Sequence, residues 1–195
     1  MLENSLAPQL MTRFFPRIDR RVREALLVFT GSLFVAGMAQ VRLPLPFTPV
    51  PITGQTFAVL LVGAALGARL GVLSLALYLV EGLAGLPFFA GGASGLTALF
   101  GPTGGYLVGF VAAAYLVGLL AERGGDRRVR TAVPIFLAGE AVIYLFGLPW
   151  LGFFVGFRQA LALGLFPFLV GDVLKLAAAA LALPAAWRLS RHLRH

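Results

Sequence analysis

The chain has 195 residues, of which 59% are hydrophobic and 12% charged, with a formal net charge of +8. A soluble domain carries about 25% charged residues because its outer surface must face water, so this composition excludes a water-soluble globule and points to an integral membrane protein. The absence of cysteine excludes disulfides, thiolate metal sites and a cysteine nucleophile, and the two histidines, His192 and His195, both in the C-terminal tail, leave no imidazole base or metal cluster within a membrane.

Residues 1–23 hold Arg13, Arg17, Arg20, Arg21 and Arg23, with acids ahead of them and no small-residue cleavage site after a short apolar core. They are expected to form a retained cytoplasmic basic segment rather than a signal peptide. Six apolar runs follow, roughly Glu24–Val41, Gln55–Ala68, Leu70–Gly85, Gly104–Ala121, Thr131–Leu148 and Leu165–Trp187. A spanning helix needs about 20 largely apolar residues. The second run is short, so it is tilted, broken, or continued by the proline-rich stretch before it. The expected architecture is an all-α integral membrane protein with six transmembrane helices over 24–187, followed by a basic tail at 188–195.

Basic residues punctuate the runs. Besides the N-terminal arginines there are Arg69 between the second and third runs, Arg123, Arg127, Arg128 and Arg130 between the fourth and fifth, and Arg188, Arg191 and Arg194 after the sixth. In a six-helix bundle these places share one side, and the other side has only Arg42 and Arg158. Positively charged flanks stay cytoplasmic, so both termini are expected inside. Topology thus accounts for the charge, and a nucleic-acid partner is not expected.

The breaks on the outer side differ in character. Residues 42–55 (RLPLPFTPVPITGQ) are dense in proline, and residues 86–105 (LPFFAGGASGLTALFGPTGG) are rich in glycine and long for a helix connection. Gly85-Leu86-Pro87-Phe88 and Gly147-Leu148-Pro149-Trp150 are expected to stop the third and fifth helices, with Phe88 and Trp150 in the interfacial aromatic belt. Small residues recur four apart at Gly63/Gly67/Gly71, Gly101/Gly105/Gly109, Ala114/Gly118 and Gly152/Gly156. That spacing predicts close helix packing.

A few polar residues sit in apolar surroundings. Asp172 and Lys175, the only lysine, are one helical turn apart in the outer half of the sixth run. Each charge near a bilayer centre costs about 2.5–3.5 kcal/mol on insertion scales. They either pair structurally, with Asp172 capping a helix, or line a pocket for a ligand with a carboxylate and an amide-like group. The two can alternate. Glu81 and Glu140 have no partner visible in the sequence, and each either makes a structural hydrogen bond or binds a proton. Arg158 is an interfacial residue or a second anion contact. Thr53 and Gln55 follow two prolines, where irregular backbone is tolerated if it lines a cavity. Thr103 and Tyr106 hold a comparable place at the head of the fourth run, where Tyr106 also suits the aromatic belt. The phosphate-loop pattern GxxxxGK[ST] is absent. A serine–histidine dyad or a two-aspartate site within the spans is excluded, so an enzyme of a common intramembrane class is not expected.

Five stretches in order, VPITGQTFAVLLVGAALGARLG, GLPFFAGG, FGPTGGYLVGF, IYLFGLPWL and PFLVGDVLK, resemble the BioY family, the biotin-capturing S components of energy-coupling-factor (ECF) transporters. The resemblance covers roughly residues 24–187. It implies six transmembrane helices, biotin as the ligand in a pocket near the outer face of the cell membrane, and no cofactor. It also implies coupling to a separate ECF membrane subunit and an ATPase pair, which alone would use ATP. By position it places ligand contacts on Asp172, Lys175, Thr53, Gln55, Thr103 and Tyr106, with Phe88 and Phe89 over the apolar middle of the ligand. The family's first helix docks on the coupling subunit through two small residues four apart, here Ser32 and Ala36. Where some members place a polar contact between Phe89 and Gly101, this chain offers only backbone, Ser94 and Thr97. Two other readings stay open. One is a stand-alone secondary transporter of a small carboxylate-bearing solute, with Glu81 or Glu140 linked to a proton. The other is a membrane scaffold in which Asp172 and Lys175 only pair.

Overall fold

The computed structural model describes residues 5–192, with side chains as far as Ser190. Residues 1–4 of the N-terminal segment, Arg194 and His195 of the tail, and the side chains of Arg191 and His192 lie outside that description. Eight α-helices are found among the described residues: α1 (Leu6–Phe14), α2 (Arg20–Gln40), α3 (Gln55–Leu83), α4 (Gly95–Leu99), α5 (Gly104–Glu122), α6 (Val129–Val155), α7 (Phe157–Gly164) and α8 (Leu169–His192). Five of them, α2, α3, α5, α6 and α8, are long and apolar enough to cross a membrane.

The second and third apolar runs, expected as separate helices, are the two arms of α3, which part at Gly67. Its backbone leaves the helical region at Gly67, with φ 83° and ψ 175°, a conformation that is essentially restricted to glycine. There the chain turns back on itself. A Cβ added at Gly71 would lie 3.1 Å from the Cα of Gly63, whereas eight residues of straight helix span about 12 Å. Beyond the turn the backbone N–H of Ala68 donates to Glu122 at 2.9 Å, which satisfies a donor that the broken helix leaves free.

The repeated small residues explain how the helices meet. A Cβ at Gly63 would stand 2.9 Å from the carbonyl of Ala114, one at Gly105 would stand 2.6 Å from the carbonyl of Phe146, and one at Gly109 would stand 3.1 Å from Ile143. Helix α5 is therefore pressed between α3 and α6 with backbones nearly touching, as expected where packing rather than hydrophobicity drives helix association. On α2, Gly31, Ser32, Val35, Ala36 and Ala39 form the buried stripe. Ser32 and Ala36, expected on a docking surface, thus face inward at 0% and 5% exposure. The cause is again size, since a Cβ at Gly31 would meet the Ser74 hydroxyl at 2.6 Å.

The stop expected at Pro149 is not used. Pro134 and Pro149 both lie inside α6, which runs on until Gly156 at φ 86° and ψ 141°. Each proline removes one ladder bond, but packing holds the helix: Gly147 lies against the Tyr106 ring, and Trp150 Nε1 donates to the carbonyl of Gly101 at 2.9 Å. The corresponding stop after α3 is used, with Gly85 at φ 102°. Short helices α4 and α7 occupy segments expected to be irregular, and the sixth run becomes helical only from Leu169.

All four basic places meet at one end of the bundle. Arg13 donates to the carbonyl of Ser190 at 3.4 Å, and Arg69 and Arg20 approach Glu24 at 3.7 and 2.8 Å. In the α5–α6 connection, Asp126 accepts from Trp187 Nε1 at 2.6 Å while Arg127 lies over that ring at 4.9 Å. Burial pushes the Asp126 carboxyl up from its ordinary value. The N-terminal segment is not a loose extension, because α1 packs on α2, α3 and α8 and buries Leu6. At the opposite end a short antiparallel pair, β1 (Arg42–Leu43) with β2 (Ile52–Thr53), folds the proline-rich loop over the helices.

Candidate ligand-binding site

A cavity of about 220 Å³ opens at the end away from the arginine-rich face. Its walls come from the proline-rich loop, the first turn of α3, the 84–103 connection, α5, α6 and α8. Of the eight residues expected to contact a ligand, all but Phe88 line it: Thr53, Gln55, Phe89, Thr103, Tyr106, Asp172 and Lys175.

Local geometry fixes each of them. The Thr53 hydroxyl accepts from the backbone N–H of Gln55 at 3.2 Å and donates to that residue's side-chain carbonyl at 3.1 Å, starting α3 directly after β2. Gln55 Nε2 donates to the Tyr78 hydroxyl at 2.7 Å, and Tyr78 donates to the carbonyl of Phe88 at 3.2 Å. This chain ties the head of α3 to the glycine-rich connection. Phe89 is seated edge-on against Tyr78 at 5.5 Å and over Gly82. Gln40 Nε2 secures the same turn from α2 by donating to the carbonyls of Pro87, Phe88 and Phe89 at 3.3–3.4 Å. The Tyr106 hydroxyl donates to the carbonyl of Gly164 at 3.0 Å. That bond pins Tyr106 as a wall residue and presents its ring, set edge-on to Tyr144 at 6.3 Å, to the cavity.

The charged centre is on α8. Lys175 Nζ donates to Asp172 Oδ1 and to Thr56 Oγ1, each at 3.1 Å, and the Tyr144 hydroxyl donates to Asp172 Oδ2. The two side chains are 9% and 17% exposed, so the pair is largely desolvated but still borders the cavity. Pairing and pocket lining therefore occur together.

Several lining residues were not singled out from the sequence: Arg42, Thr56, Phe110, Tyr144 and Phe168. Arg42 counted only as a topological marker, yet it borders the cavity, and its guanidinium packs on Gly91 at φ 71°, where any Cβ would collide with it. Tyr144 lies within the quoted IYLFGLPWL motif, and Thr56 directly follows Gln55. Conversely, Phe88, Ser94, Thr97 and Arg158 do not line the cavity, and Arg158 is exposed at the start of α7. Glu81 accepts a hydrogen bond from Ser32 between α3 and α2, a structural contact. Glu140 is buried and also lies off the cavity wall.

The arrangement combines two cations, one carboxylate, amide and hydroxyl groups, and a wall of Phe89, Tyr106, Phe110, Tyr144 and Phe168. It suits a small amphipathic molecule with an anionic group, N–H donors and an apolar middle. No group of three or more histidine, aspartate or glutamate side chains is placed to hold a metal among the described residues.

The chain is similar in sequence and fold to known proteins. The sequence profile of the BioY family matches residues 9–192. The chain is 42% identical to a protein of Pyrococcus horikoshii described as "Probable biotin transporter BioY", across 76% of this chain and 88% of that one. It is 39% identical to the biotin transporter BioY of Thermotoga maritima, across 79% of this chain and 88% of the relative. Its fold resembles the crystal structure, at 2.1 Å, of the S-component for biotin from an ECF-type ABC transporter. The TM-score is 0.79 at 24% identity, with 87% of this chain and 93% of the other covered.

Proposed function

The chain belongs to the BioY family, and from that premise we propose that it captures biotin at the outer face of the cell membrane and delivers it inward together with an ECF coupling subunit and a pair of ATPases. It acts by binding rather than by chemistry on the ligand. One observation carries the reading: the cavity brings Asp172, Lys175 and Arg42 around an apolar wall, matching the ureido ring, carboxylate and thiophane of biotin.

The two ends of the ligand are assigned as follows. Asp172 accepts from the ureido N–H groups beside Lys175, where Tyr144 and Thr56 hold both charges in place. The valerate carboxylate reaches Arg42, which has no ion-pair partner among the described residues and stands at the cavity border. Thr53, Gln55 and Thr103 complete the polar rim, and Phe89 and Tyr106 enclose the thiophane.

Six membrane passes, with both termini cytoplasmic, complete the proposal. The reversal at Gly67 supports it by making α3 two passes, as do the arginines gathered at the terminal end. Residues 24–187 then form the binding domain, flanked by the basic segments 1–23 and 188–195.

The test is thermal stabilisation of the detergent-solubilised chain against a panel of vitamins. Biotin is expected to raise the melting temperature without nucleotide. Biotin methyl ester, which lacks the charged carboxylate, should bind wild type and Arg42→Ala equally, whereas biotin itself loses roughly ten-fold or more in affinity for the variant. No shift with biotin on folded protein overturns the function, and unchanged biotin affinity in Arg42→Ala overturns the assignment of the ends.

A further inference from the structure

One ionisable group of the interior has no part in the binding scheme above. Glu140, midway along α6, is 5% exposed, and neither of its carboxylate oxygens has a hydrogen-bond partner. A buried carboxylate without partners is among the costliest groups a fold can hold. Glu140 does not line the cavity. It lies one helical turn from Tyr144 and on the same face of α6, and Tyr144 is the residue that donates to Asp172.

Its surroundings are specific. Asp172 and Lys175 of α8 are its charged neighbours, and Thr56 of α3 approaches it without making a bond of ordinary length and angle. Thr56 Oγ1 accepts from Lys175, so the hydroxyl's own proton remains available for a second acceptor, and Glu140 is the acid that Thr56 approaches. The result is a line of polar groups, Asp172–Lys175–Thr56–Glu140, with one base between two acids.

This order matters if biotin binds as described, the reading on which the following rests. Ureido N–H groups that donate to Asp172 compete for the lone pairs that now serve Lys175. We propose that Glu140 is a positioning residue that serves as the second counter-charge of Lys175, drawing in the ammonium through Thr56 as the ligand's N–H donors take over Asp172. Its lack of partners is then the cost of holding an acceptor in reserve. Ligand binding gives every member of the line a partner.

The test uses the full-length chain in detergent, measuring both melting without ligand and biotin affinity. Glu140→Gln keeps the shape and removes the unpartnered ionisable carboxyl, so the ligand-free protein is expected to melt about 2–4 °C higher. Biotin affinity is expected to fall roughly ten-fold or more. Glu140→Asp keeps the charge and should retain more affinity than Glu140→Gln. In a Thr56→Val background, which cuts the line at its middle, the effect of Glu140→Gln on affinity should shrink to within about two-fold. A purely structural role lowers the melting temperature and leaves affinity unchanged, and that result overturns the proposal. So does full additivity of Thr56→Val with Glu140→Gln. If wild type fails to bind biotin, the function and this inference both fall. If wild type binds and Glu140→Gln binds equally well, only this inference falls.

Discussion

Replacing Lys175 with methionine removes one partner of the Asp172–Lys175 pair and leaves the other in place. Breaking a fully buried ion pair costs about 3–5 kcal/mol, and breaking an exposed one costs about 0–1 kcal/mol. Here the side chains are 9% and 17% exposed and border a cavity, so the expected cost lies between, about 2–3 kcal/mol. Tyr144 still donates to Asp172 in the variant, which argues against the upper extreme. For a chain of this size, each kcal/mol shifts melting by about 2–4 °C, so Lys175→Met should melt about 4–12 °C lower without ligand. Adding Asp172→Leu removes the stranded carboxylate. Because replacing a buried pair by apolar residues is often neutral or stabilising, the double variant should return to within about 1 kcal/mol of wild type. Its stability recovers, but its biotin binding does not. Both variants should lose roughly 100-fold or more in affinity, about 2.7 kcal/mol. Melting curves and calorimetric titration in the same detergent measure both quantities. A single variant that melts like wild type, or a double variant that binds biotin as wild type does, refutes the reasoning.

Two further perturbations probe the scaffold at the arginine-rich end. Gly67→Ala puts a side chain at φ 83°, where its Cβ would lie 2.6 Å from Glu122 Oε1. The expected loss is about 1–3 kcal/mol from the backbone conformation alone, read as lower melting and lower yield of monodisperse protein; wild-type melting would mean that α3 does not turn there. Asp126 tests the pH dependence. Burial raises its carboxyl pKa, so the folded chain binds this proton up to a higher pH than the unfolded chain. Stability therefore falls as pH rises from about 4 towards the raised folded value. Asp126→Asn keeps an oxygen acceptor for Trp187 Nε1 and should flatten this fall, and parallel melting-versus-pH curves for the two proteins would count against it.

The lining of the cavity was more legible than the path of the helices. Asp172 and Lys175 stood out because charges in an apolar run demand a reason, and Thr53, Gln55, Thr103 and Tyr106 because they follow turn-forming residues at the outer ends of helices. All of them line the cavity. Arg42 and Tyr144 did not stand out. An arginine at a membrane boundary and a tyrosine in an aromatic helix are ordinary in sequence, and only their convergence on one cavity distinguishes them. Ser32 and Ala36, expected to dock on a partner, are buried within the chain itself. A small-residue stripe says that something packs closely, but not whether that partner is another protein or this chain's own α3. Pro149 likewise carries a strong local stop signal, which the packing of Gly147 and Trp150 against neighbouring helices overrides.

Composition, the lengths of the apolar runs and the spacing of arginines determine by themselves that this chain belongs in a bilayer and roughly where it crosses. These are one-dimensional properties, and the solvent that reads them, a slab of fixed thickness with charged faces, is one-dimensional too. The placing of the turn at Gly67 against Glu122, the inward turn of the α2 stripe and the line from Asp172 through Lys175 and Thr56 to Glu140 were decided by tertiary structure. Each depends on contacts between segments far apart in the chain, and how those contacts form is set by how closely glycine lets two backbones approach.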